Sequence, residues 1–206
     1  MVSPVDGKPN PTFPLLEPLG QVYNGYLIAQ GEAGLFLLDQ HAAHERILYE
    51  KLQHTKGGQL GRERQNLLVP LTLELSPREG EILEQNLSLL RDLGFRIAEF
   101  GPRSAIVHAV PTIVPQGQEK DILRQVLAEL EEGGGKKPLA DLLQEIIITI
   151  SCHSALKVGK KLRGEEMTAL IAQLAHTKNP FTCPHGRPTV IHISAGELEK
   201  RFKRRN

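Results

Sequence analysis

Three clusters of metal-competent side chains divide between the two ends of this chain, and that division constrains the fold more than any other feature. Asp39, His41 and Glu45 stand near the start; Ser151-Cys152-His153 and Cys183-Pro184-His185-Gly186-Arg187-Pro188 stand near the end. The middle, roughly Leu67 to Lys137, reads as a self-contained αβ unit without such a cluster. If the clusters share one site, the chain ends meet and the middle is an insertion. The expected fold class is therefore α+β, with a discontinuous subdomain built from 14–64 and 139–206 around an inserted αβ subdomain, 65–138. Residues 1–13, with Ser3, Pro4, Gly7, Pro9, Asn10 and Pro11, read as a linker or tail, and the chain as a domain cut from a longer protein.

The first cluster follows Leu35-Phe36-Leu37-Leu38, an apolar run short enough for a buried strand. Asp39 then stands where strand gives way to helix, and Asp is a good N-cap. Ala42 and Ala43 favour helix, so His41 and Glu45 are i,i+4 neighbours on one face. An imidazole and two carboxylates at a helix start suit a hard or borderline metal. The plainer reading, a cap and a solvated face, is outweighed by the matching chemistry downstream. Cys183 and His185, two apart in a loop braced by Pro and Gly, are zinc-type ligands, with a tight turn around a buried Cys as the plainer reading. Together His41, Glu45, Cys183 and His185, with Asp39 adjacent, suit Zn(2+), and the carboxylates also tolerate Mn(2+) or Mg(2+). A bridging Asp39 would allow two metals, a recurrent solution for phosphodiester cleavage. Cys152 reads equally as a further ligand or as core, and His153 as solvated. Lys157 and Arg187 are candidates for phosphate contact, and Arg187 equally for bracing its own loop.

Composition narrows the class. The chain has 206 residues, 40% hydrophobic and 24% charged, with a net charge of +1. That is the balance of a globular protein without the broad basic field of a strong nucleic-acid binder. The dense basic run is terminal: Lys200, Arg201, Lys203, Arg204 and Arg205. Two distant cysteines, each beside a His, fit thiolate ligands in a reducing compartment better than a disulfide framework. No apolar run approaches the ~20 residues of a membrane span, and no signal-peptide pattern opens the chain. A cytoplasmic location follows as an expectation.

In order, Gln21–Ala29 reads as a strand, Gly31-Glu32-Ala33-Gly34 as a turn, Leu35–Leu38 as the returning strand and Gln40 to about Leu52 as a helix, broken by Gly57, Gly58 and Gly61. Arg64–Leu75 alternates as a half-buried strand, with Leu67, Val69, Leu71, Leu73 and Leu75 on one side. Ser76-Pro77-Arg78-Glu79 opens a helix with a capping box, and Gly94 stops it. Phe95–Phe100 and Ala105–Val110 read as paired strands around Gly101-Pro102, and Asp121–Glu132 as a helix before the polar break Gly133–Pro138. A buried helix is expected from Leu139 into Ser151–Leu162, then a helix over Glu165–Ala175, a loop over Lys178–Gly186, a strand over Thr189–Ile193 and a closing helix over Ser194–Phe202.

The three clusters together resemble the C-terminal domain of the MutL family of DNA mismatch-repair proteins, in its endonuclease-bearing form. That family's signature, DQHA-x-x-E-x-x-x-x-E, is matched by Asp39-Gln40-His41-Ala42, Glu45 and Glu50. Its Cys-containing helix motif is matched by Ser151–Lys157, with Ser151 where Ala is common, and its C-P-H-G-R-P motif by Cys183–Pro188. A terminal Phe-x-Arg element is matched by Phe202-Lys203-Arg204. The resemblance spans about Pro14 to Arg204. It implies a homodimer formed by the discontinuous subdomain, with a regulatory role for the inserted one, and an N-terminal ATPase domain elsewhere in the full-length protein. It also draws attention to Gln65-Asn66-Leu67-Leu68-Val69-Pro70, where the family carries a short motif that docks on the replication processivity clamp. Gln65 as polar anchor and Leu67, Leu68, Val69 and Pro70 as apolar fillers suit peptide-in-groove binding.

The function expected is a metal-dependent endonuclease that nicks duplex DNA in mismatch repair, close to the nucleoid. Asp39, His41 and Glu45 would be catalytic; His41, Glu45, Cys183 and His185, with Asp39, would hold metal; Glu50, off the ligand face, would have a structural or supporting role. Near-neutral charge implies weak DNA affinity for this chain alone. The rival expectation is a dimerisation and clamp-docking module whose zinc is purely structural.

Overall fold

The computed structural model describes residues 9–54, 64–101, 103–133, 136–156 and 159–204. Lys157 lies outside them, as do Gly57, Gly58 and Gly61. The fold is α+β: among the described residues there are two antiparallel sheets and six helices. The chain divides into two compact units, one of residues 1–50 and 155–206, the other of residues 51–154.

The first unit is a four-stranded sheet with two helices packed on one face. Its strands are β1 (Glu17–Val22), β2 (Tyr26–Gly31), β3 (Gly34–Asp39) and β7 (Val190–Ser194), in the order β1-β2-β3-β7. Leu27 pairs with Leu38 and Ala29 with Phe36, which puts these four on one face. There they pack with Ala43 and Ile47 of α1 (Gln40–His54) and with Leu170, Ile171 and Leu174 of α5 (Gly164–Ala175). The alternate residues line the opposite face: Ile28 pairs with Leu37, Leu37 with Ile191 and Leu35 with Ile193. A one-sided antiparallel sheet normally carries polar residues on its outer face. Here it carries aliphatic ones, and Ile191 is 56% exposed.

Sequence periodicity suggests one strand across Gln21–Ala29, but the structure folds a hairpin there. Tyr23 (φ 51°) and Asn24 (φ 47°) form a tight turn, closed by the Gly25 N–H donating to the Val22 carbonyl at 3.2 Å. Two consecutive left-handed residues match the right-handed twist of the flanking strands. The Asn24-Gly25 pair is a turn signal, masked by the β-forming Tyr23, Tyr26, Leu27 and Ile28. The second hairpin turns through Glu32 and Ala33, as expected from Gly31–Gly34.

The second unit has strands β4 (Arg64–Glu74), β5 (Arg96–Gly101) and β6 (Ser104–Pro111) in the order β4-β6-β5. Its helices are α2 (Pro77–Asp92), α3 (Glu119–Gly133) and α4 (Leu139–Ser154). Helix α2 has the capping box the sequence suggests: the Ser76 hydroxyl accepts from the Glu79 amide, and the Glu79 carboxylate from the Ser76 amide. These bonds hold the Glu79 carboxyl below its ordinary value of 4.5, the Ser76 backbone bond contributing most. A depressed carboxyl stabilises the fold above its ordinary value, and that contribution fades as pH falls through the folded value. Ser76→Ala is expected to cost about 1 kcal/mol, read as a lower urea midpoint with unchanged slope.

The alternation expected along β4 is interrupted. Its pairing with β6 slips between Asn66 and Leu71, and Val69, expected inward, is 79% exposed beside Leu68, which is fully exposed. The Gln65 amide donates to the Val114 carbonyl at 2.7 Å. Helix α4 buries Leu142, Ile146, Ile147 and Ile150, but ends at Ser154 rather than running to Leu162. Beyond its end, the Leu156 amide donates to Nδ1 of His44 at 2.9 Å instead of to a helical carbonyl. No helix among the described residues is long and apolar enough to cross a membrane. The closing helix α6 (Ala195–Arg201) is capped by Ser194, whose hydroxyl accepts from Glu197 at 3.1 Å.

Candidate metal centre

The centre is built in the first unit by the start of α1 and the loop before β7. Strand β3 ends at Asp39, whose Oδ1 accepts the Ala42 amide at 2.9 Å and so caps α1. One turn of helix then puts His41 and Glu45 on one face, with Nε2 of His41 3.9 Å from Oε1 of Glu45. The other imidazole nitrogen, Nδ1, lies 3.1 Å from the Leu156 carbonyl. A carbonyl only accepts, so Nδ1 is the donor, which leaves Nε2 as the nitrogen on the side of Glu45. Such a bond fixes ring and tautomer, as in metal-ligating histidines.

The second half arrives on a tight turn. The Gly186 amide donates to the Cys183 carbonyl at 2.9 Å, and the Cys183 amide to the Arg187 carbonyl at 2.8 Å. Pro184 has the fixed φ that the second turn position needs, and Gly186 takes φ 80°, where a side chain would be strained. His185 Nδ1 thereby comes within 3.3 Å of Glu45 Oε1. The donor atoms of Glu45, Cys183 and His185 all lie within 4.8 Å of one another.

The donor set fits a metal. Glu45 is buried, its side chain 4% exposed, and faces a nitrogen of each imidazole. The Cys183 thiol, also buried, completes a set of carboxylate oxygen, imidazole nitrogen and thiolate sulfur typical of zinc. A carboxylate and an imidazole lone pair facing each other repel unless a proton or cation lies between them. The His41 and His185 side chains are 31% and 40% exposed, so the cluster has a buried wall and a side towards solvent.

Asp39 stands at the N-terminal mouth of α1, half-buried, one carboxylate oxygen engaged in the cap. Arg187 is exposed on the turn and braces it through its carbonyl. Cys152 is half-buried on α4, in the second unit. Gln65, Leu67, Leu68, Val69 and Pro70 form the first half of β4 in that unit. Sequence reading passes over Arg46 and His44. Arg46 Nε donates to the Thr182 carbonyl at 2.6 Å, its guanidinium lies 3.6 Å from Glu50, and it sits 5.3 Å from the centre of the Tyr49 ring. Its i,i+4 spacing from Glu50 is the one signal in the sequence.

An α+β domain that folds a buried carboxylate, two imidazoles and a thiol together from opposite ends of its chain is a candidate metalloprotein domain. Residues 19–162 match the model of the MutL C-terminal dimerisation domain. The chain is 41% identical over 199 residues to the DNA mismatch repair protein MutL of Shouchella clausii, covering 97% of this chain and 30% of that protein. It is 39% identical over 191 residues to that of Halalkalibacterium halodurans (93% and 30%), and 41% identical over 204 residues to that of Pelotomaculum thermopropionicum (98% and 33%). The chain therefore belongs to the MutL C-terminal dimerisation domain family, and spans about a third of the length of these relatives.

Proposed function

We propose that this chain is the metal-dependent endonuclease domain of a mismatch-repair protein, nicking one strand of duplex DNA. The observation that carries the reading is the convergence of Cys183 and His185 on Glu45, beside His41. His41, Glu45, Cys183 and His185 would hold Zn(2+), or Mn(2+) as activating metal. When bound, the metal lowers the pKa of a water and offsets charge on the phosphate. Asp39, at the helix mouth, would orient the attacking water and take up its proton. Arg187, exposed on the same turn, would contact the phosphate. Leu156 holds the His41 ring through its carbonyl, so the ligand is oriented before metal arrives. The solvent-facing side formed by the two imidazoles favours this over a closed structural zinc, because a catalytic site needs an open position.

The same reading assigns partners. The aliphatic outer face of the four-stranded sheet, with Ile28, Leu35, Leu37, Ile191 and Ile193, suits a second copy of a domain whose family is described by dimerisation. Leu68 and Val69 stand out from the interrupted edge of β4, as a clamp-docking segment requires. Gln65 would then brace that segment through Val114 rather than enter the partner. An ATPase domain elsewhere in the longer protein, or the clamp, would supply the DNA affinity a near-neutral domain lacks.

Nicking of supercoiled plasmid with Mn(2+), with and without clamp, tests this. Wild type should nick; Asp39→Asn should lose at least about a hundredfold while still dimerising and retaining zinc. Leu68→Ala should lose only the stimulation by clamp. Asp39→Asn at wild-type rate would refute the catalytic reading.

A further inference from the structure

The segment that delivers Cys183 and His185 is gripped from two sides, and the second grip comes from near the start of the chain. From α1, Glu50 accepts the Lys178 amide at 2.6 Å and the Asn179 amide at 3.1 Å, while Arg46 donates to the Thr182 carbonyl at 2.6 Å. Both side chains are buried, 7% and 8% exposed, and face each other at 3.6 Å. From the other side, the Asn10 side-chain amide donates to the Lys178 carbonyl at 3.0 Å and the Thr177 carbonyl at 3.3 Å. Lys178 is thus held at its N–H by α1 and at its carbonyl by Asn10. Three residues on, the Phe181 ring packs against Phe13, centroids 5.7 Å apart, and Phe13 is buried in the core of the first unit.

The residues Asn10–Phe13 are themselves set. The Asn10 amide donates to the Ala175 carbonyl at 2.6 Å, and the Phe13 amide to the Asn10 carbonyl at 3.0 Å. Asn10 Oδ1 accepts from the Thr12 amide at 3.0 Å and from its hydroxyl at 2.7 Å, which turns the Nδ2 donor towards 177–178. A linker needs none of these bonds. A loop whose next residues are metal ligands does gain from them, because ligands already in place lose less freedom on binding.

We propose that Asn10–Phe13 is a positioning strap for the metal centre. It works with Arg46 and Glu50 by fixing residues 177–182, so that Cys183 and His185 meet Glu45 and His41 in register. Displacing the strap weakens metal binding, and by reciprocity metal binding tightens the strap. The proposal rests on the metal-centre reading above.

The test is titration of the whole chain with Co(2+), followed through the thiolate-to-cobalt absorption that Cys183 would give, for wild type, Asn10→Ala, Asn10→Asp, Glu50→Gln and Cys183→Ser. Both Asn10 variants should bind Co(2+) roughly tenfold more weakly while the metal-free melting temperature falls by only a few degrees, since Asp keeps the size but loses the donor. Glu50→Gln should weaken it further, and combining it with Asn10→Ala should cost less than the two singles together, because both act through Lys178. Hydrogen exchange gives a second readout: Zn(2+) should slow exchange at the amides of Asn10 and Phe13 in wild type. Asn10 variants that bind within twofold of wild type, with exchange there indifferent to zinc, would overturn the strap and leave the metal centre intact. A wild type without thiolate absorption, indistinguishable from Cys183→Ser, would overturn the metal centre and the strap with it.

Discussion

Glu45→Ala is expected to abolish metal retention and nicking together while the domain stays folded. Glu45 is the residue the other donors share: His41 and His185 both face it, and the Cys183 thiol lies within the same 4.8 Å group. Removing it takes away the one buried carboxylate the set is built round. The effect on zinc affinity should exceed the ten- to hundredfold typical of supporting residues, so about a thousandfold is a reasonable scale. Zinc at a thousand times the wild-type dissociation constant should stabilise wild type by about 4 kcal/mol, and Glu45→Ala, with a site about a thousandfold weaker, by only about 0.4 kcal/mol. Melting curves with and without zinc, beside plasmid nicking, read both. An intact zinc-induced shift in Glu45→Ala would show that this carboxylate is not a ligand.

Gly34→Ala is expected to be among the most damaging small substitutions in the first unit. Gly34 opens β3 with φ 136°, a conformation that side chains rarely adopt, and a Cβ there would run into the backbone carbonyl of Ile193. That carbonyl belongs to β7, which pairs with β3 from Gly34–Ser194 to Leu38–Val190. Backbone cannot swing aside as a side-chain tip can, so the pairing itself must open. The expected cost is about 3 kcal/mol, or roughly 6–12 °C in melting temperature. Because β7 directly follows the metal-site loop, Gly34→Ala should also weaken zinc retention. An unchanged melting temperature would mean that β7 does not lie against β3 as described.

The local half of the site was legible in the sequence, and the reasons are local. Asp39 announces a helix start, and i,i+4 spacing alone puts His41 beside Glu45. Pro184 and Gly186 announce a tight turn that presents Cys183 and His185 together. That the two halves meet was an inference from matching chemistry, since the four-residue helical repeat and the turn say nothing about each other. What stayed hidden are bonds whose partners lie more than a hundred positions apart. Glu50 carries the expectation of a structural or supporting role, yet nothing in its spacing from Arg46 shows that residues 178–182 return to cover the pair. Helix α4 looks able to run on past Ser154, because nothing near Leu156 shows that its amide will go to His44. Asn10 sits among prolines and polar residues that read as a tail, yet its side chain donates to the carbonyls of Thr177 and Lys178. The missed hairpin at Tyr23 has a different cause: strong β-formers on both sides outweighed the Asn24-Gly25 signal. Val69 failed for a third reason, a slipped register that no alternation pattern reveals.

X-ray absorption at the zinc edge of the zinc-loaded chain reads the donor atoms themselves. Stoichiometric zinc with sulfur in its shell at about 2.3 Å, and nitrogen and oxygen at about 2.0–2.2 Å, is the expected result. The sulfur should vanish in Cys183→Ser. A shell of nitrogen and oxygen alone in wild type, or zinc lost on dialysis, would contradict it.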